Sequence, residues 1–175
     1  MESKIIAEFE KVSFEQFLKD FRDCFWDTDE TYKNYTDSQV RLIYNEIKLP
    51  KRATKGSAGY DFFMPFLFTF NEKAKKIPTG IRCNIEPGYV LMLYPRSGLG
   101  FKYGARLKNS TGVIDQDYFY ANNEGHIMAK ILSDKEFLLG PQESFMQGIF
   151  MPYYLAKEEE VTTERTGGFG STSRK

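Results

Sequence analysis

The chain has 175 residues, 41% of them apolar and 16% aromatic, which is enough for one ordinary domain with a real core and argues against wholesale disorder. Lys plus Arg and Asp plus Glu number 24 each, so the basic surplus that a general nucleic-acid or membrane-surface binder needs is missing. Cys24 and Cys83 form no C-x-x-C pair, and the single His126 cannot complete a zinc set with them. Two reduced thiols, no leader and no uninterrupted 18-residue apolar span set the expectation of a soluble, cytoplasmic protein.

In chain order, Lys4 to Val12 reads as a short strand. Ser13 then opens a helix, with Gln16 completing a capping-box pattern and Val12 and Phe17 placed as a hydrophobic staple. Phe14, Phe17, Leu18, Phe21 and Phe25 follow at helical spacing. Val40, Ile43, Tyr44 and Ile47 repeat the pattern behind candidate caps at Thr36 to Ser38. Residues 1–46 are therefore expected to be a strand-and-helix extension with two amphipathic helices, packed by default on the outside of an assembly.

From Lys48 onward the texture changes to short apolar or alternating runs broken by Gly and Pro. Strands are expected at Gly59–Met64, Ile77–Cys83, Tyr89–Tyr94, Ala105–Asn109, His126–Ser133 and Phe145–Tyr154, with turns at Glu86-Pro87-Gly88 and Gly140-Pro141. Many short, evenly punctuated strands point to a mainly β sandwich or barrel. A β domain over 47–156 and a mobile C-terminal arm over 157–175, acidic and then Gly-rich, complete the expected organisation.

Five segments carry polar chemistry. The run Ala53-Thr54-Lys55-Gly56-Ser57-Ala58-Gly59-Tyr60-Asp61 permits close backbone approach and ends on a carboxylate. Tyr94-Pro95-Arg96-Ser97-Gly98-Leu99-Gly100 offers a guanidinium, a hydroxyl and exposed N–H groups to a phosphate, without the spacing of a P-loop. In Gly112-Val113-Ile114-Asp115-Gln116-Asp117-Tyr118, preceded by Asn109 and Thr111, the two aspartates stand two apart. On a strand that spacing points both to one face, where one can act as a base while the other shapes its surroundings. Gln147 is a polar residue in the apolar run Ser144 to Pro152, so it needs a buried partner or a ligand. Arg165-Thr166-Gly167-Gly168-Phe169-Gly170-Ser171-Thr172 has the composition of a flap with one stacking aromatic. Taken singly, a bare turn, a polar strand end or a plain tail accounts for most of these segments.

Together and in this order, the five segments resemble the motifs of the homotrimeric dUTPase family, over roughly Leu49 to Thr172. The strings G-S-A-G-Y-D, P-R-S-G-L-G, G-V-I-D-x-D-Y and G-G-F-G-S-T carry the resemblance, and Asn123-Glu124-Gly125-His126-Ile127 is similar to a variant found in part of the family. The resemblance implies a distorted jelly-roll β-barrel or sandwich and a trimer with active sites at subunit interfaces. The implied reaction is Mg²⁺-assisted hydrolysis of dUTP to dUMP and pyrophosphate, with no nucleic acid or membrane partner. Asp115 corresponds to the carboxylate that positions and deprotonates the attacking water. Tyr118 corresponds to the aromatic beneath the deoxyribose, and Asn109 with the backbone of Gly112 to Ile114 to the uracil-reading hairpin. Arg96, Ser97, Gly98 and Gln147 match phosphate contacts. Phe169 matches the aromatic covering uracil, and Arg165, Gly170, Ser171 and Thr172 match the segment that wraps the γ-phosphate. Asp61 and Asp117 fall to supporting positions, and Mg²⁺ is expected on the triphosphate and water without direct protein ligands.

Three features depart from the family pattern. Phe119-Tyr120-Ala121-Asn122-Asn123 lengthens the hairpin tip, Ser144 stands where the family has an Arg, and Arg165 lies one residue closer to Phe169. Two rival functions share parts of this pattern: a dCTP deaminase, which needs a glutamate at the base, and a nucleotide-sensing trimer that grips a protein regulator.

Overall fold

Strand β1 (Ala7–Lys11) leads into helix α1 (Phe14–Phe25), whose Phe14, Phe17, Phe21 and Phe25 are buried along one face. The computed structural model describes residues 4–25, 31–157 and Arg165. Ser13 caps the helix as expected, its Oγ accepting the Gln16 N–H at 3.1 Å. The return half of the expected capping box does not form. Ser13 N donates instead to the Glu124 carboxylate at 2.7 Å, and the Gln16 amide donates to Asp20 at 2.7 Å. A carboxylate is the stronger acceptor, and the tertiary contact wins over the local one. Helix α2 (Asp37–Asn45) does carry the full box, between Thr36 and Gln39. Its Val40 is fully buried, and the Tyr44 hydroxyl donates to the Val12 carbonyl at 2.7 Å.

The rest of the chain alternates short strands with tight connections: β2 (Lys51–Arg52), β3 (Tyr60–Phe63), β4 (Phe68–Phe70), β5 (Lys75–Pro78), β6 (Ile81–Ile85) and β7 (Tyr89–Pro95). Helix α3 (Ser97–Tyr103), β8 (Arg106–Leu107), β9 (Gly112–Ile114) and a 3-10 helix (Gln116–Tyr120) follow, then β10 (Met128–Leu132), β11 (Phe137–Leu139) and β12 (Ser144–Pro152). The largest sheet runs β2-β3-β12-β7-β9, with smaller sheets β5-β10-β8, β1-β6 and β11-β4. The strand pairings among the described residues are antiparallel, giving a mainly β, jelly-roll-like body.

Two sequence expectations need correction here. Ile77–Cys83 is two strands in different sheets: β5 pairs with β10 and β6 with β1. The chain turns at Thr79-Gly80, where Gly80 has φ +73° and a Cβ would lie 2.3 Å from Ile47 Cδ1. The run Ala105–Asn109 shrinks to Arg106–Leu107, because Ser110 adopts φ +66° and the segment coils away. The Ser97–Tyr103 segment, to which the sequence reading assigned no element, is a helix closed by Gly104 in the left-handed conformation.

One core joins the N-terminal helices to the β body. Phe21 and Phe25 pack edge-on against Phe66 at ring distances of 5.6 and 5.4 Å, and Phe9 meets Phe62 and Phe150 at 5.7 Å. The described part of the extension thus shares the core of its own protomer. Among the described residues, no helix is long and apolar enough to cross a membrane.

Candidate active site

Register places the first half of the site. Asp61 on β3, Gln147 on β12 and Tyr94 on β7 face one another across three adjacent strands. Arg96 follows at the end of β7, capping α3 by position, and one guanidinium nitrogen, Nη1, binds Asp61 Oδ2 at 3.0 Å and also donates to the Ser144 hydroxyl. Ser144, one of the departures from the family pattern, thus serves as an acceptor for Arg96. Gln147 donates to the Pro95 carbonyl at 3.4 Å, and its amide occupies the space above Gly59, where a Cβ would lie 2.5 Å from Oε1. Ser97 and Gly98 are exposed on the first turn of α3, whose N–H groups have no partner within the helix. Arg96, Gly98 and Ser144 line a cavity of about 490 Å³.

The second half hangs on β9, paired with β7 so that Gly112 opposes Leu93 and Ile114 opposes Leu91. Gly112 is buried with no room for a side chain, since a Cβ would stand 3.0 Å from two Leu93 carbons. Thr111 Oγ1 donates to the Leu93 carbonyl at 2.8 Å, Thr111 N donates to the Asn109 carbonyl at 2.7 Å, and the Asn109 side chain is exposed. The strand ends at Ile114, which corrects the reading of Asp115 and Asp117 as strand neighbours. Asp115 precedes the 3-10 helix in extended conformation, and Asp117 lies in its first turn. The two carboxylates nonetheless converge on one cation: Arg165 binds Asp115 through Nη2 and Asp117 through Nε at 2.8 Å. Its guanidinium carbon also stands 5.9 Å from the centre of the Tyr118 ring.

Tyr118 is buried, and burial pushes its hydroxyl up, against a smaller opposing effect of the Asn123 hydrogen bond. The Phe119–Asn123 insertion is the end of the 3-10 helix and a turn. It is packed by Arg82, whose guanidinium lies 4.2 Å from the Phe119 ring centre and is held by Glu10 at 2.6 Å. The expected roles of Phe169, Gly170, Ser171 and Thr172 fall outside the described residues.

The two halves do not meet within one chain. Asp115 continues β9 past Leu91, whereas Arg96 lies beyond the other end of β7. At a rise of about 3.4 Å per residue, they are roughly 20 Å apart along the strand. Sequence reasoning missed Ser144 as a partner of Arg96, the half-buried Glu124 and the buried His126. The signal available was a turn holding two ionisable residues in an aromatic-rich chain.

The antiparallel body is shared with solved structures of nucleotide-hydrolysing enzymes. A dUTPase from phage phi11 of S. aureus matches 70% of this chain and 95% of its own, with a TM-score of 0.57 at 20% identity, a likeness of fold alone. The dUTPase from Streptococcus mutans is nearer in sequence, with 33% identity, a TM-score of 0.59, and coverage of 85% of this chain and 98% of its own. The dUTPase family model matches residues 45–173. A deoxyuridine 5'-triphosphate nucleotidohydrolase of Lactococcus lactis is 42% identical over 132 residues, covering 72% of this chain and 88% of the relative. One from Tolumonas auensis is 38% identical over 143 residues, covering 75% and 91%. The chain belongs to the dUTPase family, enzymes that hydrolyse dUTP to dUMP and pyrophosphate.

Proposed function

We propose that this chain hydrolyses dUTP in a homotrimer whose active sites combine the Asp115 half of one subunit with the Arg96 half of another. The observation that carries this reading is the separation of the two halves along β7. Charge stabilisation and a base cannot act on one phosphate across roughly 20 Å, so a second copy must supply the missing side.

In that site Asp115 takes a proton from water as the water oxygen bonds to the α-phosphorus. The bond from that phosphorus to the bridging oxygen breaks in line, and pyrophosphate leaves. Arg96, with Ser97, Gly98 and Gln147, holds phosphate oxygens. The backbone of Gly112 to Ile114 with Asn109 reads the uracil edge, and Tyr118 packs under the sugar. Arg165 is bound to Asp115 and Asp117 in the structure. A triphosphate competes strongly for a guanidinium, and its capture of Arg165 frees Asp115 to act as base. Phe169, Gly170, Ser171 and Thr172 complete the closure over uracil and the γ-phosphate.

Among the described residues, no three His, Cys, Asp or Glu side chains converge into a metal cage, and the phosphates themselves supply the oxygen ligands that Mg²⁺ favours. Mg²⁺ held on those oxygens would neutralise part of the triphosphate charge. Both cysteines are buried, their thiols pushed up to about 12 by desolvation, which suits a cytoplasmic protein that keeps them reduced.

The test is pyrophosphate release from dUTP, dTTP, dCTP and UTP in the presence of Mg²⁺. Turnover of dUTP far above the other three is expected. Equal turnover of all four overturns the specificity, and release of ammonia from dCTP makes the chain a deaminase.

A further inference from the structure

The turn after the 3-10 helix carries two side chains that the reaction does not use, and both reach the N-terminal helix. Glu124, held at φ +57°, accepts from Ser13 N at 2.7 Å and from Ser13 Oγ at 2.6 Å. His126 is fully buried. Its Nδ1 lies 2.6 Å from Asp20 Oδ2, and its Nε2 accepts the Gly80 N–H at 2.7 Å. A backbone N–H can only donate, so Nδ1 carries the ring hydrogen and donates a hydrogen bond to Asp20. Asp20 is fixed from its own helix by the Gln16 amide, 2.7 Å away.

The same turn grips Tyr118. The Tyr118 hydroxyl donates to the His126 carbonyl at 2.8 Å and accepts from Asn123 Nδ2 at 2.8 Å. Gly125, at φ +69°, lies so close that a Cβ would stand 2.7 Å from both the Tyr118 carbonyl oxygen and Phe119 Cα. The ring cannot retreat unless the turn moves, and the turn is tied to α1 at two places.

We propose that helix α1 is a positioning element for sugar selection: through Ser13 and Asp20 it stiffens the Glu124–His126 turn, which holds the Tyr118 ring against the 2′ position of the substrate. The inference rests on the reading of Tyr118 as the residue beneath the deoxyribose. An apolar wall rejects an added hydroxyl poorly, because a yielding pocket simply makes room for it. Rejection by shape improves only as the wall is stiffened by the residues behind it. Ser13, Asp20, Glu124 and His126 lie behind the ring and need not touch the substrate.

The test uses the full chain with Glu124→Gln, Ser13→Ala, Asp20→Asn and Tyr118→Ala, each checked for folding by thermal melting. The readout is the ratio of kcat/KM for dUTP to that for UTP. Each anchor variant is expected to lower this ratio about three- to tenfold, the range of one lost hydrogen bond, with UTP gaining relative to dUTP. Tyr118→Ala is expected to lower it further. Parallel losses on both substrates, or no change on either, overturn the proposal and leave α1 as scaffold alone. The half-buried Ser13–Glu124 pair keeps the test open if the buried Asp20→Asn does not fold. If Tyr118→Ala collapses the ratio while Glu124→Gln and Ser13→Ala preserve it, only this proposal fails. If Tyr118→Ala itself preserves the ratio, the reading of Tyr118 fails, and the proposal with it.

Discussion

The Arg96 guanidinium is tied to Asp61 by a single nitrogen, Nη1, at 3.0 Å, which leaves Nη2 and Nε of the fork unclaimed by that contact. A fork held at one tine is oriented without being consumed, and the remaining donors suit a phosphate. Asp61→Asn should therefore raise KM for dUTP about tenfold, the equivalent of one weakened charged contact. Ser144→Ala should raise it less. Steady-state kinetics decide the matter: an unchanged KM in Asp61→Asn removes the carboxylate from any role in placing Arg96.

Asp115→Asn should lose about 10²- to 10⁴-fold in turnover, the usual worth of a positioned base. Binding of a non-hydrolysable dUTP analogue should persist, measured by calorimetry. Turnover near that of the parent protein would take Asp115 out of the base role.

A site shared between subunits predicts complementation. Asp115→Asn and Arg96→Ala should each be inactive alone. Unfolded together and refolded as mixed trimers, they should regain about a quarter of the parent activity if subunits assort at random in a closed ring. No recovery in mixed trimers, with assembly verified by sizing, would place both residues in the same protomer's site.

Two glycine variants should behave in opposite ways. In Gly59→Ala the new Cβ meets the movable end of Gln147, so stability should change by less than about 1 kcal/mol while KM rises. In Gly125→Ala the Cβ meets backbone at positive φ, so stability should fall by more than about 2 kcal/mol. Chemical denaturation alongside kinetics separates the two, and equal stability losses would refute the distinction.

Burial pushes the Asp20 carboxyl up, but the hydrogen bonds from His126 and Gln16 outweigh it and hold it below its ordinary value of 3.8. A lowered carboxyl stabilises the fold above that ordinary value and loses its contribution as the pH falls through the lowered one. Asp20→Asn should therefore be less stable than the parent at neutral pH, with the gap narrowing below about pH 4. A gap that stays constant from pH 7 to pH 3 would mean that Asp20 does not titrate with unfolding.

The periodic parts of the fold were readable from the residues, and the reasons are local. Phe14, Phe17, Phe21 and Phe25 can share one face only in a helix, and Thr36 with Gln39 marks the start of the next one. Ile77–Cys83 misled because Ile77, Thr79, Ile81 and Cys83 keep a strand-like alternation of β-branched and apolar residues across Thr79-Gly80, where the chain changes sheets. Helix α3 was hidden by its two glycines, which count against a helix in any propensity reading. At the candidate site, residue types and order singled out Asp61, Arg96 and Gln147, which register and one ion pair bring together, and Asp115, Asp117 and Arg165, which meet in another cluster. Partners distant in sequence did not show: nothing near Ser13 announces Glu124, 111 positions away, and nothing near Ser144 announces Arg96.

If the active site is shared between subunits as proposed, the placement of Asp115 and Arg96 toward opposite ends of β7 makes specific activity a function of how much enzyme is present. Dilution below the dissociation constant of the assembly would extinguish catalysis without unfolding any chain, and mass action would restore it on reconcentration. An enzyme with such shared sites would be switched off by scarcity, its separate copies idle until enough accumulate to find one another.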